Sequence, residues 1–208
     1  MPSYPEAPRA MQLRYAQLEE LVGGLLEVHA DRRKTLGARL RLFRLRGFPP
    51  DVATTAKTRF AYDLEAVLRV SLAMLMLDAF VPQELAPVVI ERDWTKLKSA
   101  FRSAYTLIRD KGDAAAAVDG DRPVLLLSPR NLHAFTLDKY GKADPEKTVM
   151  LQLSTARAAS DRLLDQGGGE TFETMTVIDL HRVAAWVRNA ILRLRWAGPE
   201  LFDDFAAE

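Results

Sequence analysis

Cysteine is absent from the 208 residues. That excludes disulfides, thiolate metal sites and a cysteine nucleophile, and fits a reducing compartment. Histidine is scarce: His29, His133 and His181 stand far apart, with no carboxylate or second histidine at ligand spacing. Long apolar runs are missing. The stretch Val70 to Val81 is interrupted by Ser71 and Asp78 and is too short to cross a bilayer. The opening residues show no basic-then-apolar leader. What remains is 48% hydrophobic and 27% charged, the balance of a globular chain with a real core. A soluble cytoplasmic protein is expected.

Catalytic patterns are also lacking. Ser128 and His133 share a segment without a nucleophile elbow or oxyanion loop. Gly167 to Gly169 have no Lys-Ser/Thr to make a phosphate loop. The sequence therefore predicts no enzyme, no metal site and no cofactor.

The net charge of +1 conceals an asymmetry. Residues 1–60 hold 11 Lys/Arg against 6 Asp/Glu, whereas residues 61–208 hold 18 against 22. Between Asp31 and Phe60, nine basic residues face only Asp31 and Asp51. Such a concentration points to an anionic partner for that segment.

Along the chain, helical spacing begins after a proline-rich lead-in. Gly23 and Gly24 interrupt it and predict a bend or two helices. Asp31 is placed to cap a basic helix over 32–46, which stops at Gly47 before Pro49 and Pro50. DVATTAKTRFAY follows as a loop or short hairpin. Asp63 then caps a long apolar helix that ends at Val81-Pro82, and a further amphipathic helix runs from about Pro82 to Asp110. KGDAAAAVDGD reads as a domain boundary. Beyond it the period changes: PVLLLSP, TVMLQLST and TMTVIDL read as strands, ARAASDRLL as a helix, and Asp179 as the cap of a last helix. The acidic tail with Phe202 and Phe205 reads as a frayed end or a short docking peptide. The expected fold is mainly α: a helical unit over 1–112 and a small α+β unit over 113–208, the latter a candidate dimerisation or sensing module.

Seven positive residues lie on the basic helix, and only Lys34 is not arginine. At about 100° per residue, Leu36, Leu40 and Phe43 share one face suited to packing. Arg32, Arg39 and Arg46 follow one flank of that face. Lys34 and Arg41, with Arg33 and Arg44 nearer the core side, follow the other. Two rows of guanidinium suit phosphates on both sides of a DNA groove, and Lys57 and Arg59 extend the set into the following loop. Leu42 and Leu45 point away from the core face.

The order TLGARLRLFRLRGFPP, then TAKTRFAYDLEAVLRVSLAMLMLDAFVPQELAPVVI, resembles the DNA-binding domain of MerR-type winged helix-turn-helix regulators over residues 21–90. Gly47, Phe48 and Pro49 match the turn that ends the family's recognition helix. Arg59 to Tyr62 match the close of the wing, and Asp63 to Phe80 match the helix after it. The resemblance implies a sequence-specific transcription regulator that binds double-stranded DNA. Helix 32–46 would lie in the major groove and the wing 51–62 on the backbone. A homodimer would read two half-sites. The competing expectation from another class is a protein–protein adaptor without DNA binding.

Overall fold

The computed structural model describes residues 11–50, 52, 61–127, 151–165 and 176–207. The protein is mainly helical, with one small antiparallel sheet. Helix α1 (Tyr15–Leu25) and α2 (Arg33–Leu45) are joined through a 3-10 turn at Ala30–Arg32. Then come α3 (Leu64–Asp78), α4 (Leu85–Lys111) and the short α5 (Asp113–Ala117). The second half contains β1 (Pro123–Leu127), β2 (Gln152–Thr155), α6 (Ala156–Asp165), β3 (Thr176–Asp179), α7 (Leu180–Arg193) and α8 (Glu200–Ala207).

The glycine pair does not bend α1. Gly23 and Gly24 lie inside one continuous helix because two neighbours approach its backbone there. A Cβ on Gly23 would stand 3.3 Å from Leu36 Cδ2 of α2, and one on Gly24 would stand 2.8 Å from the Trp186 ring of α7. The helix loses some propensity at these positions and gains close packing on two sides. Asp31 does not cap α2 either. The 3-10 turn intervenes, α2 has no side-chain cap, and Asp31 Oδ1 instead lies 2.8 Å from His29 Nδ1.

Other expected ends are made as the residue types require. Asp63 Oδ1 accepts from the Ala66 N–H at 2.8 Å at the start of α3. Asp179 Oδ1 accepts from the Arg182 N–H at 3.1 Å at the start of α7. Gly47 closes α2 at φ +72°, and the Phe48 N–H returns to the Phe43 carbonyl at 3.0 Å. Phe48 then packs edge-on to Phe43 with ring centres 5.4 Å apart. Helix α4 begins at Leu85, with Pro87 in its first turn where an N–H is dispensable.

The sheet has strand order β2-β1-β3, with both pairings antiparallel. Strand alternation divides the central residues. Leu125 and Leu127 join the main core, whereas Val124 and Leu126 form a small cluster with Ala159 of α6. The main core runs from Met11 to Phe205 and crosses residue 112, so the boundary expected there does not partition the hydrophobic core. Helix α4 is its spine, in contact with α3, α5, α7, α8 and β1.

The acidic tail is neither frayed nor free. As α8 it lays Phe202 and Phe205 on Tyr105 of α4, with ring centres 5.3 and 5.7 Å apart. The Arg102 Nε–H also donates to the Phe205 carbonyl at 3.1 Å. Among the described residues, no helix is long and apolar enough to cross a membrane.

His181 in α7 is 1% exposed, and neither ring nitrogen has a hydrogen-bond partner. Burial pushes its affinity for a proton below the ordinary histidine value of 6.5; Asp179 opposes this and Arg122 adds to it. Below that ordinary value the unfolded chain takes up a proton that the fold refuses. Stability is therefore complete above it and declines as pH falls toward the folded value. Urea midpoints measured across this window are expected to drop in the wild type and to flatten in His181→Leu. Equal slopes in the two proteins would remove His181 as the cause.

Candidate nucleic-acid interface

Three apolar residues dock α2: Leu36, Leu40 and Phe43, each at most 3% exposed. Tyr15 of α1 adds a polar tie, its hydroxyl donating to the Gly37 carbonyl at 2.9 Å. With that face occupied, the helical repeat turns Lys34, Ala38, Arg41 and Leu45 outward, and all four are exposed. Leu45 is 78% exposed. Leu42, also expected to point away from the core, is half-buried. Ala38, which carries no charge to mark it in the sequence, is one of these four. Its signal is helical spacing, midway between Lys34 and Arg41, on the uncovered ridge.

The helix expected over 32–46 forms over Arg33–Leu45, with Arg32 in the preceding 3-10 turn and Arg46 just past its end; the seven basic residues of this segment separate into two groups. Arg32, Arg33, Lys34 and Arg39 are exposed and form no ion pair among the described residues. Arg41 is exposed, and its Nε–H donates to the Gly37 carbonyl one turn back at 3.2 Å. The remaining two have structural partners. Arg44 is half-buried, with its guanidinium over the Tyr15 ring at 5.7 Å. Arg46 Nη2 meets Glu84 Oε1 at 3.1 Å and ties the end of α2 to the α3–α4 connection. The Gln83 amide adds a bond to the Arg39 carbonyl at 3.3 Å, so the helix is held at both its core face and its C-terminal end.

After α2 the chain returns to α1. Tyr62 pairs antiparallel with Leu13 through two backbone hydrogen bonds of 2.8 and 2.9 Å. This bridge fixes where the segment before α3 comes back. Lys57 and Arg59, with most of the expected wing 51–62, lie outside the described residues, as do Ser128, His133 and Gly167 to Gly169. Arg32 and Arg39 also line a cleft of about 460 Å³ between the α1–α2 connection and α3, alongside Asp31 and Asp78. Among the described residues, no group of three or more His, Asp or Glu is placed to hold a metal ion.

Fold and site together define a mainly helical protein with a three-stranded sheet and a solvent-facing basic helix. No protein-family model matches this chain, and no curated protein or solved structure is significantly similar to it.

Proposed function

We propose that the protein is a sequence-specific transcription regulator that binds double-stranded DNA as a homodimer. Helix α2 enters the major groove, and segment 51–62 lies along the backbone as a wing. The observation that carries this reading is the outer face of α2. A helix docked by only one stripe presents Lys34, Ala38 and Arg41 to solvent, with Arg32 and Arg39 exposed beside them and free of acidic partners among the described residues. Arginine and lysine at the edge of such a ridge neutralise phosphates; Arg41 and Ala38 on its crest suit guanine edges and thymine methyls. The resemblance to MerR-type winged-helix regulators supports the same placement.

Fluorescence anisotropy tests it, with a duplex selected from random sequence and a scrambled control. Wild-type affinity is expected to fall steeply with salt. In Arg32→Ala with Arg39→Ala, the slope of log K against log salt is expected to shrink by about 0.9 for each phosphate contact removed. Arg41→Ala is expected to cost about 1–3 kcal/mol on the selected duplex and to narrow its advantage over the control. If neither duplex binds at low salt, or none of these changes matters, the adaptor reading replaces this one.

A further inference from the structure

Phe80 stands where folding alone favours glycine. It follows α3 in the left-handed region at φ +64°, with its N–H returned to the Leu77 carbonyl at 3.1 Å and the Val81 N–H to the Met76 carbonyl at 2.9 Å. This αL position strains any residue with a Cβ. The residue is 90% exposed, so burial against the described residues gives nothing back. Beside it lies a cleft of about 610 Å³, floored by Leu75 of α3, Val177 of β3 and Trp186 of α7. Val177 is 43% exposed. One wall of this cleft is β3, which among the described residues is an edge strand of the sheet. The strand reads Thr-Val-Ile-Asp and carries no proline or lysine to discourage pairing.

We infer that this surface, with Phe80 as its knob and the β3 edge and adjoining cleft as its hole, is a two-fold interface occupied by a second copy of the chain. An isologous contact needs knob and hole on the same patch, so that each copy fills the other. The charges around the cleft are complementary in the same self-paired sense. Glu27, after α1, and Asp78, at the end of α3, line it together with Arg182 of α7; all three are exposed, and none of the three side chains has an ion-pair partner among the described residues. Across a two-fold axis Arg182 of each copy meets the acids of the other. Antiparallel pairing of the two β3 edges then joins the two sheets into one. This deepens the dimer part of the proposed function by naming its surface, and it is independent of the DNA part.

Sedimentation velocity over a concentration series, without DNA, tests it on the full chain. The wild type is expected to dimerise. Phe80→Gly removes the knob and relieves the backbone, so a folded monomer is expected. Asp78→Arg and Arg182→Glu each place the new charge favourably for their own helix, at the end of α3 and in the first turn of α7. Each alone is expected to weaken the dimer at least about tenfold. The double swap is expected to restore it. A wild-type monomer at every concentration overturns the inference. So does a dimer indifferent to Phe80→Gly and to both single swaps, or a double swap that fails to re-pair. A dimer that persists through all the variants would place the interface elsewhere and leave the homodimer standing. DNA binding is read separately by anisotropy, so neither result decides the other.

Discussion

Arg69→Ala is expected to cost about 3 kcal/mol of folding stability, a large share of what a domain commonly has. Arg69 lies on α3 with its side chain 9% exposed. Its guanidinium sits 4.4 Å from the centre of the Trp94 ring and lies within 3.6 Å of Glu65 and 3.4 Å of Glu91. The Trp94 indole N–H donates to Glu65 at 2.8 Å, and Lys98 is ion-paired to the same carboxylate at 2.5 Å. Burial raises the Glu65 proton affinity, but the Lys98 and Trp94 hydrogen bonds and the nearby positive charges outweigh it and hold this carboxyl below its ordinary value.

Truncating Arg69 removes the cation from an aromatic face and from between two half-buried carboxylates, in a joint that clamps α3 to α4. The carboxylates keep some contact with water, which places the cost at the lower end for a buried pair. Urea unfolding at neutral pH measures it. A loss below about 1 kcal/mol would show that the cluster behaves like an exposed ion pair. Because Glu65 is held ionised, its contribution is present above its ordinary range and fades as pH falls through its lowered folded value, the acid-side counterpart of the His181 effect.

The second large effect falls on the proposed DNA-reading helix. Phe43 is 1% exposed and packs against Phe48, so Phe43→Ala is expected to cost about 3–5 kcal/mol through lost burial and the cavity left behind. Leu45, two residues on and 78% exposed, is expected to tolerate Ala within about 0.5 kcal/mol. The contrast isolates the docking face of α2. If its outer face binds DNA, Phe43→Ala also lowers affinity without touching a charged residue, because the helix loses its seat. Equal stability losses at Phe43 and Leu45 would mean that α2 is not held as the structure shows.

Helix α2, its apolar stripe and its terminating glycine follow from local rules: apolar residues at threes and fours, and a left-handed stop before prolines. The caps at Asp63 and Asp179 and the three strands of the second half are legible for the same reason, since each depends on neighbours in the chain. Residues whose state depends on distant partners are not. Gly23 and Gly24 look like helix breakers until Leu36 and Trp186 arrive against them. Phe202 and Phe205 look like a loose docking peptide until Tyr105 supplies a floor. Seven basic residues look equivalent along one helix. The fold gives Arg46 to Glu84 and Arg44 to Tyr15, and leaves Arg32, Arg33, Lys34 and Arg39 facing solvent. The boundary near residue 112 fails as a division of the core for the same reason. A turn-rich sequence marks a break in local structure, whereas α4 buries residues from both sides of that break together. Local propensity and periodicity act over a few residues. Burial is settled by which surfaces meet, and those surfaces come from opposite ends of the chain.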